Sequence, residues 1–413
     1  MNKRKINTFI ILAALFSLLT YFHDVIKEAN ESPFDDFAHY WINASLLKEG
    51  YNVWSWNKEI DQRNKEIAKE LNVNFTCSPI HSLGFFVLVL PFTIFPFHWT
   101  VLGFLFLEQI FIFFSIWVIL KTCKNDFSLE DLMIVLFLVL SFWPIREQIH
   151  QLQPNFLILL FISIALLSMK KGHMIWAGIF LSLAIQIREY FFLIALFFLW
   201  KKNWRILFGI ILGIMALKII AIFIFGGGKE LSYWKYIYSF FGISTHRSIA
   251  NESLSAGIYR VGNNLFGTKI CFIFWLLCIG FLIGNAIFTT RKKGVDLLMG
   301  FCLFLCLAFL VSPWVHEHHY LAMYPAIIFI WFKLGAKNKI YDYALFILAY
   351  LLLGLKYSFV RFPMFHSGIL AIFTMGKVAG VAVFYFLITQ LIKRDLVNST
   401  SDYLAVRKEI GNG

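Results

Sequence analysis

Two adjacent carboxylates, Asp35 and Asp36, stand in SPFDDFAHYW, just after the first apolar segment and just before a run of aromatic residues. A carboxylate placed there can cap a helix, complement the positive end of its dipole, or take a proton from a hydroxyl as a general base. A second polar cluster is WPIREQIHQLQPNFL at 143–157, which contains Arg146, Gln153 and Asn155. Gln153-Pro154-Asn155 leads directly into an apolar run, so these amides are expected to point inward, where sugar hydroxyls or a phosphate would satisfy them. Arg188 and Glu189 interrupt a third apolar stretch. SPWVHEHHYLAMYP at 312–325 supplies Trp314, His316 and His318. Imidazole and carboxylate are good zinc ligands, but the order is not HExxH, and consecutive histidines on a helix point apart. Contact with a phosphate is favoured over a metal, with plain loop polarity as the alternative. The stretch 226–268 carries Arg247, Asn251 and Arg260. Arginine forks match phosphate oxygens, although arginines at a membrane surface also snorkel without further role.

The elements that must position these residues are written in the composition. Apolar residues make up 59% of the 413-residue chain and charged residues only 15%, against about a quarter charged in a typical soluble domain. The mean hydropathy is +0.72. Apolar runs near the length needed to cross ~30 Å of hydrocarbon recur throughout, and no alternating barrel pattern is visible. An all-α polytopic membrane protein follows, because lipid leaves free backbone groups unsatisfied. The first apolar segment lacks a small-x-small cleavage site and reads as an uncleaved span. The six cysteines show no metal or disulfide spacing; Cys302 and Cys306 share a helix face, as packing residues do. The net charge of +13 is assigned to basic loops that set orientation rather than to nucleic acid.

Placing the short basic loops, such as KTCK at 121–124, KKNWR at 201–205 and RKK at 291–293, on the cytoplasmic side gives about twelve spans. They fall near 6–22, 100–120, 130–145, 155–169, 174–187, 189–200, 205–225, 269–289, 295–312, 320–332, 341–357 and 368–392. Segment 79–97, broken by Pro91 and Pro96, is expected to be a juxtamembrane or re-entrant helix on the outer side. One span over 174–200 would hold Arg188 and Glu189 near the bilayer centre, at roughly 2.5–3.5 kcal/mol each. A hairpin with both at an outer tip avoids that cost. The chain is thus read as one membrane domain, 1–413, with a first outer loop at 23–99, a long outer loop at 226–268 and a cytoplasmic tail at 395–413. Residues 36–49 have the apolar spacing of an amphipathic helix lying on the membrane, with Asp35 as its N-cap and Gly50 as its end. Lys58 to Lys69 reads as a solvated helix.

DFAHYWINASLLKEGYNVW, PIHSLGFFVLVLPF, QPNFLILL, AGIFLSLAIQIREYFFLIALFFLWKKNWR, NESLSAGIYR and SPWVHEHHY, in that order over about 36–320, resemble glycosyltransferase family 87. This is a group within the GT-C superfamily that includes polyprenyl-phosphate-mannose-dependent mannosyltransferases. The resemblance implies a GT-C-like bundle with outer-face juxtamembrane helices. Its expected catalytic base is the aspartate of a D-F-x-x-Y-x-x-A pattern, which is Asp36 here, with Asp35 as a second carboxylate. A lysine often found near the hairpin tip is replaced by Arg188, which keeps the charge and changes the geometry. No DxD motif is present, which argues against a metal-chelated nucleotide-sugar donor, and no cofactor is expected.

The resemblance implies a polyprenyl-phosphate sugar as donor, entering from the lipid, with mannose or another hexose or pentose transferred in one inverting step. The phosphate would be held by Arg188, Arg247 or Arg260 and by His316 or His318. Tyr40 and Trp314 could stack on sugar faces. Glu189, Gln153, Asn155, Arg146 and Asn251 complete the candidate substrate contacts. The acceptor would be a glycolipid or envelope polysaccharide at the outer face of a bacterial plasma membrane, with both termini cytoplasmic. The N-x-S/T sequences are then incidental. A lipid-linked-sugar flippase or transporter is the competing reading; it predicts internal two-fold symmetry and midplane charges, and neither stands out.

Overall fold

The computed structural model describes residues 3–31, 34–55, 57–73, 79–240, 250–292, 294–335, 339–357 and 361–411. Among them the chain is helical, 83% of it, with no strands. It divides into two compact units. The first comprises Met1–Glu189, Arg205–Thr245 and His316–Ile328. The second comprises Tyr190–Trp204, His246–Val315 and Phe329–Gly413.

In the first unit, α1 (Lys3–Glu31) packs on α6 (Leu129–Leu140) and α7 (Trp143–Gln151). The long helix α5 (Phe97–Cys123) packs on α8 (Asn155–Lys170), and α8 on α9 (Met174–Ile187). A shorter layer is formed by α2 (Asp35–Lys48), α3 (Lys58–Glu70) and α4 (Leu83–Val89), the last running into a 3-10 turn at Leu90–Ile94. The unit also contains α11 (Trp204–Phe225) from Arg205 onward, α12 (Gly228–Phe240) and a 3-10 segment at Glu317–Met323 that packs on α7 and α8. In the second unit, α10 (Phe192–Trp200) packs on α15 (Leu297–Val311), and α13 (Leu254–Phe266) on α14 (Thr268–Thr290). There α16 (Ile340–Gly354) and α15 both pack on the C-terminal helix α17 (Gly376–Gly411).

Local chemistry explains the boundaries near the polar residues. Ser128 and Asp131 form a reciprocal capping box at the start of α6. The α6–α7 pair bends by 60° at a break, because Pro144 suits the first turn of a helix, lacks an N–H to continue one and biases the residue before it toward extended backbone. Helix α7 then stops at Leu152, which is left-handed (φ 49°). Helix α9 stops at Arg188, whose backbone is extended.

Several expectations change in detail. Each of the twelve expected spans contains helix, but among the described residues five helices are long and apolar enough to cross a membrane, or six if the bent pair counts as one. The N-cap of α2 is Phe34, in the left-handed region at φ 49°, and Asp35 is the first helical residue. The 146–154 connection between two expected spans is mostly helix α7. The segment after Pro79 makes only a seven-residue helix and a five-residue 3-10 turn, as its prolines dictate. Arg188 and Glu189 do interrupt helix, but Arg188 is only 6% exposed and is no solvated tip. Most of 226–268 that is described is helical, in α12 and α13.

Candidate functional site

Helix α2 carries Asp36 in its first turn, half-buried, while Phe37, His39 and Tyr40 beside it are buried. The left-handed Leu152 reverses the chain after α7 and delivers Gln153 beside α2. Gln153 Nε2 donates to Asp36 Oδ2 at 2.5 Å. Its Oε1 accepts from Arg188 Nη2 at 2.6 Å. One amide therefore bridges a carboxylate on α2 and a guanidinium at the end of α9.

Behind Gln153 lies a largely buried polar chain. Gln148 Nε2 donates to the Gln153 carbonyl and, at 2.7 Å, to Glu108 Oε1 on α5. Gln148 Oε1 accepts from Asn155 Nδ2 at 2.9 Å. Glu108 Oε2 accepts from Gln109 Nε2 at 3.4 Å, and Gln109 Oε1 accepts from the Tyr21 hydroxyl on α1. Glu108, Gln148 and Asn155 are each 0% exposed.

Around Arg188 stand imidazoles. The ring of His81, just before α4, packs edge-on against Tyr40 at 5.0 Å and lies tilted over Phe85 at 4.3 Å. His318 stacks with His316 at 5.5 Å and meets His319 edge-on at 4.7 Å. His319 Nδ1 accepts from the His316 backbone N–H at 3.1 Å, which leaves Nε2 as the protonated nitrogen of a neutral ring. Burial first, and then the Arg188 charge with neighbouring rings, holds His81 and His319 well below the ordinary histidine range. For His318 the causes are burial, then His316, then Arg188. Burial alone pushes His39 down to about 4, and its Nδ1 lies 3.1 Å from Asn43 Nδ2, which donates to a neutral ring. The result is one buried cation among neutral imidazoles.

That cation has no direct ion-pair partner among the described residues, although the neighbouring Glu189 carboxylate feels its charge. Among the described residues no carboxylate lies within ion-pairing distance of Arg188, and its Nε has no hydrogen-bond partner. Both ring nitrogens of His81 and Nε2 of His318 are likewise buried without partners. Buried polar groups cost free energy unless something pairs with them, and this set of donors around a positive charge suits an anion. Among the described residues no three His, Cys, Asp or Glu side chains are arranged to hold a metal ion.

Other candidates are placed differently. Arg146 pairs through Nε with Asp24 Oδ2 on α1 at 3.1 Å, and the neighbouring His150 pairs with Glu28 at 2.8 Å. Glu189 accepts from the Tyr233 hydroxyl at 2.5 Å. Asp35 opens α2, and its side chain lies outside the described residues. Arg247 lies outside them altogether. In the second unit Asn251 holds the chain together: it donates to the Pro313 carbonyl at 2.8 Å, and its Oδ1 accepts from Val315 N at 3.1 Å. Arg260 there donates from Nη1 to the Asn251 carbonyl at 2.8 Å, and Trp314 is half-buried.

Sequence reasoning did not single out His81, His39, Glu108 or Gln148 as site residues. For Glu108 a signal exists, since a lone carboxylate inside a 27-residue apolar helix is costly and seldom idle. For His81 no pattern in SPIHSLG points to a site; only the fold brings it to Arg188.

Comparison with curated proteins and with solved structures gives no match. A family model, Glycosyltransferase family 87, matches residues 80–313, more than half of the chain. That stretch runs from the residue before His81 to Pro313 and includes Glu108, Gln153 and Arg188. The chain belongs to glycosyltransferase family 87 and is a membrane glycosyltransferase.

Proposed function

We propose that this enzyme transfers a sugar, mannose or another hexose or pentose, from a polyprenyl-phosphate donor to a glycolipid or envelope polysaccharide at the outer face of a bacterial plasma membrane. The observation that carries the proposal is the pairing of Asp36 with a buried Arg188, which has no ion pair among the described residues, across a single amide. An inverting transfer to a hydroxyl needs two things close together. One is a base for the acceptor proton; the other is positive charge for the phosphate that leaves.

Asp36 takes the proton as the acceptor oxygen attacks the anomeric carbon. The bond to the donor phosphate breaks, and the phosphate keeps the electron pair. Arg188 stabilises the charge that develops there, with His81 and His318 donating from neutral rings. A guanidinium suits this task because it remains charged when buried and offers several donors in a fixed plane. His316 edges the same cluster. The donor's isoprenoid chain would remain in the surrounding lipid, which the outward apolar surface of the membrane helices adjoins.

The test uses membranes containing wild type or Asp36→Asn, supplied with radiolabelled polyprenyl-phosphate mannose and then other polyprenyl-phosphate sugars. Label is expected to move into lipid or polymer with wild type, and the substitution should cost ~10²–10⁴-fold in rate while leaving insertion intact. Full activity in Asp36→Asn would sink the assignment of the base. A folded wild type that uses none of these donors would sink the donor class.

A further inference from the structure

We propose that Gln153 is a positioning residue that keeps Asp36 and Arg188 from pairing directly, and that Gln148 and Glu108 hold it in place. The inference rests on the reading of Asp36 as base and Arg188 as phosphate clamp, and adds a means by which both stay usable.

The chemistry allows the amide only one orientation. An ionised carboxylate accepts hydrogen bonds and a guanidinium only donates them. Gln153 answers each with the matching end, Nε2 toward Asp36 at 2.5 Å and Oε1 toward Arg188 at 2.6 Å. Remove the amide and two opposite charges face each other in a partly buried site, where attraction is stronger than in open water. A direct ion pair would make the carboxylate a poorer base and occupy the donors needed by a phosphate. The spacer prevents both.

A spacer works only if it cannot swing aside. Gln153 is fixed at its own carbonyl by Gln148 Nε2, which is fixed in turn by Glu108 at 2.7 Å and Asn155 at 2.9 Å. The polar chain then continues through Gln109 to Tyr21, so α1, α5, α7 and α8 all contribute to the placement of one amide.

Among the described residues, other charged groups on the elements packed against α2 have partners of their own or are exposed. On α7, Arg146 pairs with Asp24, His150 with Glu28, and Glu147 accepts from Gln151. On α3, Arg63 pairs with Glu49 and Lys65 with Asp61. On α5, His98 is exposed and Glu108 is bound to Gln148. His39 on α2 and His81 before α4 are held neutral by burial. Arg188 is the cation that Gln153 presents to Asp36.

The experiment is the pH–rate profile of sugar transfer by the full-length protein in membranes, whose acidic limb reports protonation of the base. Gln153→Leu should let the ion pair close, moving that limb lower by about one unit or more and lowering the plateau rate at least ~10-fold. Gln153→Glu, of the same shape, sets a second carboxylate beside Asp36 and should move the limb higher. Gln148→Leu and Glu108→Leu should shift it in the same direction as Gln153→Leu, whereas Glu108→Gln keeps an acceptor oxygen and should restore the wild-type profile. Opposite shifts in the two Gln153 variants support the spacer. Rates that fall with both limbs unmoved overturn it and leave the chain a structural network. If Gln153→Leu does not insert, the isosteric Gln153→Glu decides by its limb alone. Asp36→Asn measured alongside separates the premises: activity there removes the base reading, and the spacer with it, whatever Gln153 does.

Discussion

Arg188 concentrates the electrostatic problem of the site in one residue. Its Nη2 is committed to Gln153, its Nε is open, and among the described residues no carboxylate ion-pairs with it, although Glu189 feels its charge. Lysine would bring one point charge on a flexible stem, unable to hold the amide and a phosphate in the same plane. Arg188→Lys is therefore expected to raise the donor KM about 10-fold or more, as the loss of one hydrogen bond to a charged group implies, with kcat falling less. Arg188→Ala should lower both kcat and kcat/KM. Steady-state kinetics against donor concentration check this, and an unchanged donor KM in Arg188→Lys would remove the guanidinium from the phosphate site. Asp36, Gln153 and Arg188 were legible in the sequence because charged and amide groups are conspicuous in so apolar a chain. Their connection was not, since it depends on Phe34 and Leu152, two bulky residues in the left-handed region. Each such conformation costs about 1–2 kcal/mol. No residue pattern marks it in advance.

At the scale of elements, the position of Arg188 depends on how closely α9 approaches its neighbours. Gly178 and Ser182 on α9 face Gly209 and Gly213 on α11, the small-residue spacing that lets membrane helices touch backbone to backbone. A Cβ on Gly178 would lie 2.1 Å from the Ile206 carbonyl oxygen, and one on Gly209 would lie 2.2 Å from the Ile175 carbonyl oxygen. Backbone cannot yield as a side-chain tip can. Gly178→Ala is expected to cost about 1–3 kcal/mol, read as a lower melting midpoint in detergent, while Gly280→Ala, where the new Cβ meets nothing within 4 Å, should be neutral. Equal midpoints for the two variants would contradict the close crossing. The helices themselves were legible from apolar runs, and so were the breaks near Pro91 and the Arg188-Glu189 pair; the bend before Pro144 was not, since the expected span ran on to 145. That 146–154 is helical was not foreseen, since the segment falls between two expected spans. Its polar residues are numerous, but Ile145 and Ile149 are buried and lie one helical turn apart, so α7 shows a core-facing side.

For the whole molecule, the hydropathy that announced a membrane protein also sets how the site responds to acid. An apolar interior can hold imidazoles only as neutral rings, and His39, His81, His318 and His319 are all buried and held below their ordinary range, chiefly by that burial. The sign follows from proton linkage. An unfolded chain binds protons at these rings near pH 6.5, while the folded protein resists them, so the unfolded state gains protons first as pH falls. Stability should be complete above about pH 6.5 and decline below it, with each ring contributing a slope of about 1.4 kcal/mol per pH unit. For His39 the decline extends down to about pH 4. Melting midpoints of detergent-solubilised protein between pH 7.5 and 5 are expected to drop steeply, in a range above that where most carboxylates titrate. His39→Gln, which keeps a polar side chain and removes the titrating ring, should flatten the curve. A flat wild-type curve would mean that these rings carry protons in the folded state. The cluster around Arg188 would then hold several positive charges rather than one, and Asp36 would face a far more cationic site than the amide spacer was built to manage.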